Sequence, residues 1–127
     1  TGVQTCALPI LQQLQGRVKM GIITNGFADI QHARLRQSGL AECFDFMLVS
    51  EELGVNKPDP RIFNAALARM PQVEAGDVLM VGDAPTDRDA AETVGTQFYG
   101  VGPELKGGSF PWGDDLTGLN AWIAARA

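Results

Sequence analysis

The feature that most constrains the fold of this chain is the alternation of short, continuously apolar segments with segments of helical character. The apolar segments predict four strands, at Val18–Thr24, Phe44–Val49, Val78–Val81 and Thr96–Val101. Strands that are apolar at nearly every position are typically buried on both faces. When such strands alternate with helices, they form a parallel sheet. The sequence therefore predicts an α/β fold in which helices cover both faces of a parallel sheet.

Helices are predicted between and after these strands. The clearest one begins at an Asp59 cap, with Pro60 at its first position. Its apolar stripe is Ile62, Phe63, Ala66, Leu67 and Met70. The other predicted helices are Leu11–Gln15, one that carries Phe27, Ile30 and Ala33 and ends at Gly39, one that runs through Val94, and Leu116–Ala125. The glycine-rich segment Gly100–Gly113 is predicted to be a loop.

Composition excludes several classes of protein. The chain has 127 residues, of which 45% are hydrophobic, and a net charge of −5. This apolar content argues against disorder, and the acidic balance argues against binding to nucleic acid polymers or acidic membranes. No apolar run approaches the roughly 20 residues that span a bilayer. Cys6 and Cys43 are predicted to be reduced, which favours a cytoplasmic location.

The first ten residues, TGVQTCALPI, differ in character from the rest of the chain. They contain no initiator Met, and they resemble the translation of a sequencing-library adapter. Our hypothesis is that residues 1–10 are a foreign leader and that residues 11–127 form the domain, as part of a longer protein. An uninterrupted native reading frame through these codons, found by resequencing, would contradict it.

Polar residues follow three of the predicted strands. They are Thr24, Asn25 and Gly26 after the first strand, Lys57 after the second, and Asp83 and Asp87 after the third. Because right-handed crossovers place the carboxyl ends of parallel strands at one edge, these groups are expected to lie close together. A hydroxyl with backbone amides binds phosphate, an ammonium neutralises it, and carboxylates suit Mg²⁺. The combination indicates phosphoryl chemistry.

Each group also has a structural explanation. Thr24, Asn25 and Gly26 are compatible with a turn and a helix N-cap, and Lys57 with a solvated loop lysine. Asp83 suits an N-cap, while Asp87 and Asp89 suit a first helical turn, where the helix dipole favours acids. Both explanations remain open at this point.

The segments GIITNG, KPDP and MVGDAPTD, in this order and spacing, resemble motifs II, III and IV of the haloacid dehalogenase-like (HAD) hydrolases. The resemblance covers roughly residues 11–100. Within the superfamily, the stretches VKMGIITNGF, SEELGV, KPDPRIF and VLMVGD are most similar to pyrimidine-nucleotide 5′-nucleotidases, which are phosphatases acting on UMP and dUMP. The resemblance implies a three-layer Rossmann-like sheet and Mg²⁺-dependent hydrolysis of a phosphomonoester through an aspartyl-phosphate.

The resemblance also implies a role for each matching residue. Thr24 is the phosphate-binding hydroxyl, with Asn25 and Gly26 beside it, and Lys57 steadies the nucleophile and the phosphoryl group. Asp83 is a Mg²⁺ ligand. Asp87 is the second acid, which holds a metal-bound water or orients Lys57. Three residues separate the two acids, where close relatives often have four.

Two parts of the family's pattern are absent. Its nucleophile is an Asp in a DxD motif on an earlier strand, followed by an inserted cap domain, and no DxD stands upstream of Thr24. The chain as written is therefore expected to be inactive and to lack the strand between Val18–Thr24 and Val78–Val81, which leaves two unpaired edges. Two alternatives stay open, another small-molecule phosphatase (for phosphoglycolate or a sugar phosphate) and a non-catalytic phosphate-binding or interaction module.

The remaining conspicuous residues are given structural roles. His32 is predicted to lie on a helix surface, and Ser50 and Ser109 have no neighbouring base. Trp112 and Trp122 are predicted to pack, and Asp114 and Asp115 to cap the last helix.

Overall fold

Short parallel strands alternate with helices through residues 9–125, the part of the chain that this computed structural model describes. The strands are β1 (Gly21–Thr24), β2 (Phe46–Val49), β3 (Leu79–Gly82), β4 (Gln97–Val101) and β5 (Trp112–Gly113). The helices are α1 (residues 9–14), α2 (Ala28–Ser38), α3 (Ser50–Leu53), α4 (Pro60–Ala68), α5 (Pro85–Val94) and α6 (Leu119–Ala124). Residues 1–8, which include Cys6 and most of the predicted leader, lie outside the described residues.

The strands form two parallel sheets. In the first, β1 pairs with β2, and Thr24 lies opposite Val49. In the second, the order is β3-β4-β5, and Gly82 lies opposite Gly100. The predicted α/β fold with parallel strands is confirmed. Within residues 9–125, β1 and β3 do not pair with each other, so each leaves one edge without a partner strand.

Two helices connect the sheets through one apolar cluster. Ile62 and Phe63 of α4 are almost completely buried and pack with Ala90 of α5. Ile23 of β1 and Met80 of β3 pack against the same cluster. Three residues of the predicted stripe, Ile62, Phe63 and Ala66, are therefore confirmed as core, and this cluster joins the ends of β1 and β3. The other two, Leu67 and Met70, are only partly buried, and Met70 lies beyond the end of α4.

The burial of two predicted elements is lower than expected. No residue of α2 is buried, and Phe27 and Ile30 are 65% and 48% exposed. Val81 of β3 is 40% exposed, although its apolar strand was predicted to be covered on both faces. The prediction was wrong at these positions because β3 has a partner strand on one side only and no described element covers the outer face of α2.

Several boundaries differ from the predicted ones. The first two strands begin two to three residues later than expected, and a short helix, α3, was not foreseen. The predicted loop Gly100–Gly113 is partly wrong, because its ends belong to β4 and β5 and pair with each other. The last helix is preceded by a 3₁₀ turn, Leu116–Gly118, which Asp115 caps by accepting a hydrogen bond from the Thr117 amide at 2.8 Å.

Other residues take the structural roles predicted for them. The Nε2 atom of His32 lies 3.3 Å from Glu52 Oε1 on the surface of α2. Trp112 packs beside the cluster of Ala91, Phe98 and Leu105, and the Trp122 ring lies 5.9 Å from that of Tyr99. Cys43 is buried and free. Among residues 9–125, no helix has the length and apolar character needed to cross a membrane.

Asp59 caps α4 as predicted, and this cap should make stability depend on pH. Its side chain accepts the Arg61 amide at 2.9 Å and pairs with the Arg61 guanidinium at 2.8 Å. The side-chain bond to Arg61, followed by the backbone bond, lowers the pKa of Asp59 below its ordinary 3.8. A lowered folded-state pKa contributes stability above the unfolded value and loses it as the pH falls through the folded one.

The Asp59→Asn variant should therefore be less stable than wild type at neutral pH. The difference should shrink as the pH falls below about 3.8 and disappear below the lowered folded-state pKa. Urea unfolding across this pH range measures it. Asp77→Asn, an exposed acid without a side-chain partner among the described residues, is the control. A difference that stays constant down to the most acidic pH would contradict the assignment.

Candidate functional site

The predicted polar residues come together at the carboxyl ends of β1 and β3. Thr24 is the last residue of β1, and Asp83 directly follows β3. Lys57 lies in the loop between α3 and α4, and Asp87 in the first turn of α5. The helices α4 and α5, which share the core cluster, bring these loops next to each other.

Lys57 and Asp87 form a partly buried ion pair. Lys57 Nζ lies 3.3 Å from Asp87 Oδ1, and the two side chains are 25% and 9% exposed. Asp87 Oδ2 accepts a second hydrogen bond from the Ala84 amide, at 3.3 Å. The alternative of a solvated loop lysine is therefore wrong. Because a charge removed from water needs a partner, Asp87 fixes where the Lys57 ammonium lies.

Asp83 is exposed and has no hydrogen bond or ion pair with another residue of the described range. The N-cap of α5 is Ala84, followed by Pro85. Asp83 thus lies just outside the helix, and the alternative that it caps α5 is wrong. Its carboxylate oxygens remain open to a cation or to water.

Asn25 turns away from α2 and toward the Lys57 loop. Its Oδ1 accepts the Lys57 amide at 2.8 Å, and its Nδ2 donates to the Lys57 carbonyl at 3.3 Å. The N-cap of α2 is Phe27, which makes no side-chain capping bond. The alternative that the Thr24-Asn25-Gly26 segment caps α2 is therefore wrong.

Ser50 belongs to this edge, although sequence reasoning gave it no role there. It is buried, and its hydroxyl accepts the Gly26 amide at 2.9 Å. The absence of a catalytic base beside Ser50 does not exclude this structural contact. The useful signal was its position directly after β2, where a lone polar residue ends an apolar strand in the same way as Thr24 does.

Two backbone amides beside the Thr24 loop are already engaged. The Gly26 amide is engaged by Ser50, and the Ala28 amide at the start of α2 donates to Glu51 Oε1 at 2.9 Å. The Thr24 hydroxyl donates weakly to the Asn25 carbonyl, at 3.2 Å. Thr24 and Lys57 supply side-chain donors that can turn toward a ligand.

The residues at this edge could supply part of the oxygen ligands of a Mg²⁺ ion. Within the described residues there is no cluster of three or more His, Cys, Asp or Glu side chains arranged to hold a metal. Mg²⁺ commonly uses one or two carboxylates and fills its other positions with waters and phosphate oxygens. The open carboxylate of Asp83 meets that need, while Asp87 is already paired with Lys57.

An open depression of about 430 Å³ adjoins this edge. It is lined by Asn25, Gly26, Phe27, Ser50, Glu51 and Asn56. The exposed Phe27 ring gives this depression an aromatic wall beside the loop that follows β1.

Comparison with known proteins finds molecules that are similar to this chain in sequence. The family model of the haloacid dehalogenase-like hydrolases matches residues 5–95. Pyrimidine 5′-nucleotidase YjjG of Escherichia coli is 46% identical over 77 residues, which are 61% of this chain and 34% of that protein. Phosphoglycolate phosphatase of Rhodospirillum rubrum is 32% identical over 124 residues, which are 92% of this chain and 51% of that protein. The chain thus spans about a third to a half of the length of these relatives.

Solved structures have the same fold. The magnesium-bound orthorhombic form of YfnB from Bacillus subtilis superposes with a TM-score of 0.85 at 30% identity. The match covers 94% of this chain and 55% of that one. The 2-haloacid dehalogenase of Pseudomonas syringae gives a TM-score of 0.80 at 34% identity, over 96% of this chain and 53% of that one.

Proposed function

Because this chain belongs to the haloacid dehalogenase-like hydrolases, we propose that it carries the phosphate- and metal-binding part of a phosphomonoester hydrolase. The observation that carries the proposal is the arrangement of Thr24, Lys57, Asp83 and Asp87 at one edge, with the Lys57 ammonium held 3.3 Å from Asp87. A hydroxyl, an oriented ammonium and an open carboxylate are the groups that phosphoryl transfer requires of a protein besides its nucleophile.

The chain's own residues have distinct parts in this proposal. The Thr24 hydroxyl and the Lys57 ammonium bind the phosphate oxygens, and Asp87 keeps the ammonium oriented. Asp83 would hold Mg²⁺, which when bound neutralises charge on the phosphate. Asp87 would serve the same ion as a second acid through a bound water, while it stays paired with Lys57.

The substrate we propose is a pyrimidine nucleoside 5′-monophosphate such as UMP or dUMP. Similarity to the pyrimidine 5′-nucleotidase of Escherichia coli supports it. The depression beside Gly26, with Phe27 as a wall, offers room for the organic part of such a molecule. The family's nucleophile is an aspartate of a DxD motif upstream of Thr24, and a protein that carries this motif together with the site would transfer the phosphoryl group through it.

A second candidate is a small phosphate ester such as 2-phosphoglycolate. Similarity to the phosphoglycolate phosphatase of Rhodospirillum rubrum over most of this chain favours it. Hydrolysis of UMP, dUMP and 2-phosphoglycolate by the intact protein decides between the two, because each candidate predicts the higher kcat/KM for its own substrate.

Binding measurements on this chain test the proposed site directly. Inorganic phosphate should perturb the amide signals around Thr24 and Lys57 in NMR spectra, and Mg²⁺ should strengthen its binding. The Asp83→Asn variant should weaken Mg²⁺ binding at least tenfold, because it removes the open carboxylate. Asp89→Asn, which changes the net charge equally on the exposed side of α5, is the matched control and should bind as wild type does. Equal Mg²⁺ affinity of wild type and Asp83→Asn would reject the proposal.

A further inference from the structure

Three loops at the site are joined by hydrogen bonds of side chains. The Asn25 side chain bonds both backbone groups of Lys57, a residue 32 positions away. One residue further along, the Gly26 amide donates to the buried Ser50 hydroxyl. The segment after β1 is thereby attached on one side to the Lys57 loop and on the other to the end of β2.

The Lys57 loop is also restrained on either side of Lys57. The Asp59 amide donates to the Asn56 carbonyl at 2.8 Å, and Val55 packs against the core cluster shared by α4 and α5. Asn56 and Pro58 are both exposed, so side-chain burial adds little at Lys57 itself. The Asn25 amide matches the Lys57 peptide on both sides, because Oδ1 accepts from its N–H and Nδ2 donates to its C=O. An Asn is suited to this double contact, since one side chain supplies a donor and an acceptor in one plane.

The position of the Lys57 backbone decides where its ammonium lies. A lysine side chain has four rotatable bonds and no fixed direction of its own. Lys57 Nζ is held at its far end by Asp87, at 3.3 Å, and its backbone is held at the near end by Asn25. Release of the near end would let the ammonium sample positions away from the edge at which Thr24 ends β1.

We propose that Asn25 is a positioning residue, whose side chain fixes the Lys57 backbone so that the ammonium stays at the phosphate-binding edge. Asn25 then acts through Lys57 and makes no side-chain contact with the phosphate. The positioning role rests on the proposed function, whereas the double hydrogen bond itself does not.

Hydrogen exchange of single amides in this chain tests the double hydrogen bond. In Asn25→Ala the Lys57 amide should exchange at least tenfold faster than in wild type, because its acceptor is gone, while the Ile23 amide of β1 keeps its rate. Asn25→Asp retains an acceptor at the same place and should restore most of the protection. Asn64→Ala, which removes an exposed amide from α4, should leave the Lys57 amide unchanged. Wild-type exchange of the Lys57 amide in Asn25→Ala, or equal acceleration at Ile23, would overturn the proposal.

The affinity for inorganic phosphate tests whether the contact between Asn25 and Lys57 positions the ammonium. With Mg²⁺ present, Asn25→Ala should raise the Kd for inorganic phosphate roughly tenfold, and Asn64→Ala should leave it unchanged. Unchanged affinity in Asn25→Ala, together with a faster Lys57 amide, would show that the contact does not position the ammonium. A wild-type chain that binds no phosphate contradicts the proposed function, and the exchange rates still decide whether Asn25 holds Lys57.

Discussion

This chain, purified and supplied with Mg²⁺, should hydrolyse UMP no faster than a blank without protein. No Asp precedes Thr24 in its sequence, and the first one, Asp29, lies in α2. The proposed site residues would bind and orient a phosphate, but none of them is placed as a nucleophile that forms a covalent intermediate. Loss of a covalent nucleophile has cost a factor on the order of 10⁶ in another hydrolase.

The matched comparison is a longer form of the protein that carries a DxD motif upstream of Thr24, assayed beside a variant in which the nucleophile of that motif is changed to Asn. Activity in the intact protein that the Asn variant abolishes would support the proposed function. Hydrolysis of UMP by the present chain above the blank, retained after repurification, would contradict it. Inactivity of a folded intact protein on every phosphate ester tested would favour a non-catalytic phosphate-binding module.

Gly82→Ala should lower the free energy of unfolding of this chain and weaken phosphate binding at its site. A Cβ at Gly82 would lie 2.5 Å from Asp87 Cβ, 2.7 Å from Cγ and 2.6 Å from Oδ2, distances that real Cβ atoms do not show. Asp87 must then move, and its bonds to Lys57 and to the Ala84 amide must break. Overpacking of this kind costs about 1–3 kcal/mol. Urea unfolding measures this loss, and phosphate titration measures the accompanying loss of affinity.

Gly76→Ala is the control for the same chemical change. Its added Cβ meets no described atom within 4 Å, and the residue lies in the 3₁₀ turn Ala75–Asp77, away from the site. Restricting the unfolded chain at such a position is neutral or slightly stabilising. Equal effects of the two substitutions would show that contact with Asp87 is not what requires glycine at position 82.

The candidate site was predictable as a set of residues but not as a set of contacts. Thr24, Lys57 and Asp83 could be placed at one edge because each follows an apolar strand of a parallel sheet. That Asn25 bonds Lys57 across 32 positions, or that Ser50 takes the Gly26 amide, has no signature in local spacing. Such contacts depend on how two loops approach each other, which is set by the packing of α4 and α5 on the strands.

Burial likewise was predictable from the sequence at some positions and depended on tertiary packing at others. The stripe Ile62, Phe63 and Ala66 follows from helical periodicity, and it is buried. Phe27 and Ile30 have comparable spacing, yet they are exposed, since periodicity reports an apolar face and not whether another element covers it. The exposure of Val81 has the same origin, because a strand needs a neighbour on each side to be enclosed.

By itself, the sequence determined the α/β class, the order of the four longer strands, the cap of α4 by Asp59 and the chemical groups at the strand ends. These follow from local properties, namely apolar periodicity, capping preference and the direction of parallel strands. Only the tertiary structure decided that Asp87 pairs with Lys57, that Asp83 stays open and that the strands divide into two sheets. Each of these depends on distances between segments far apart in the chain, and such distances are fixed by packing rather than by local sequence.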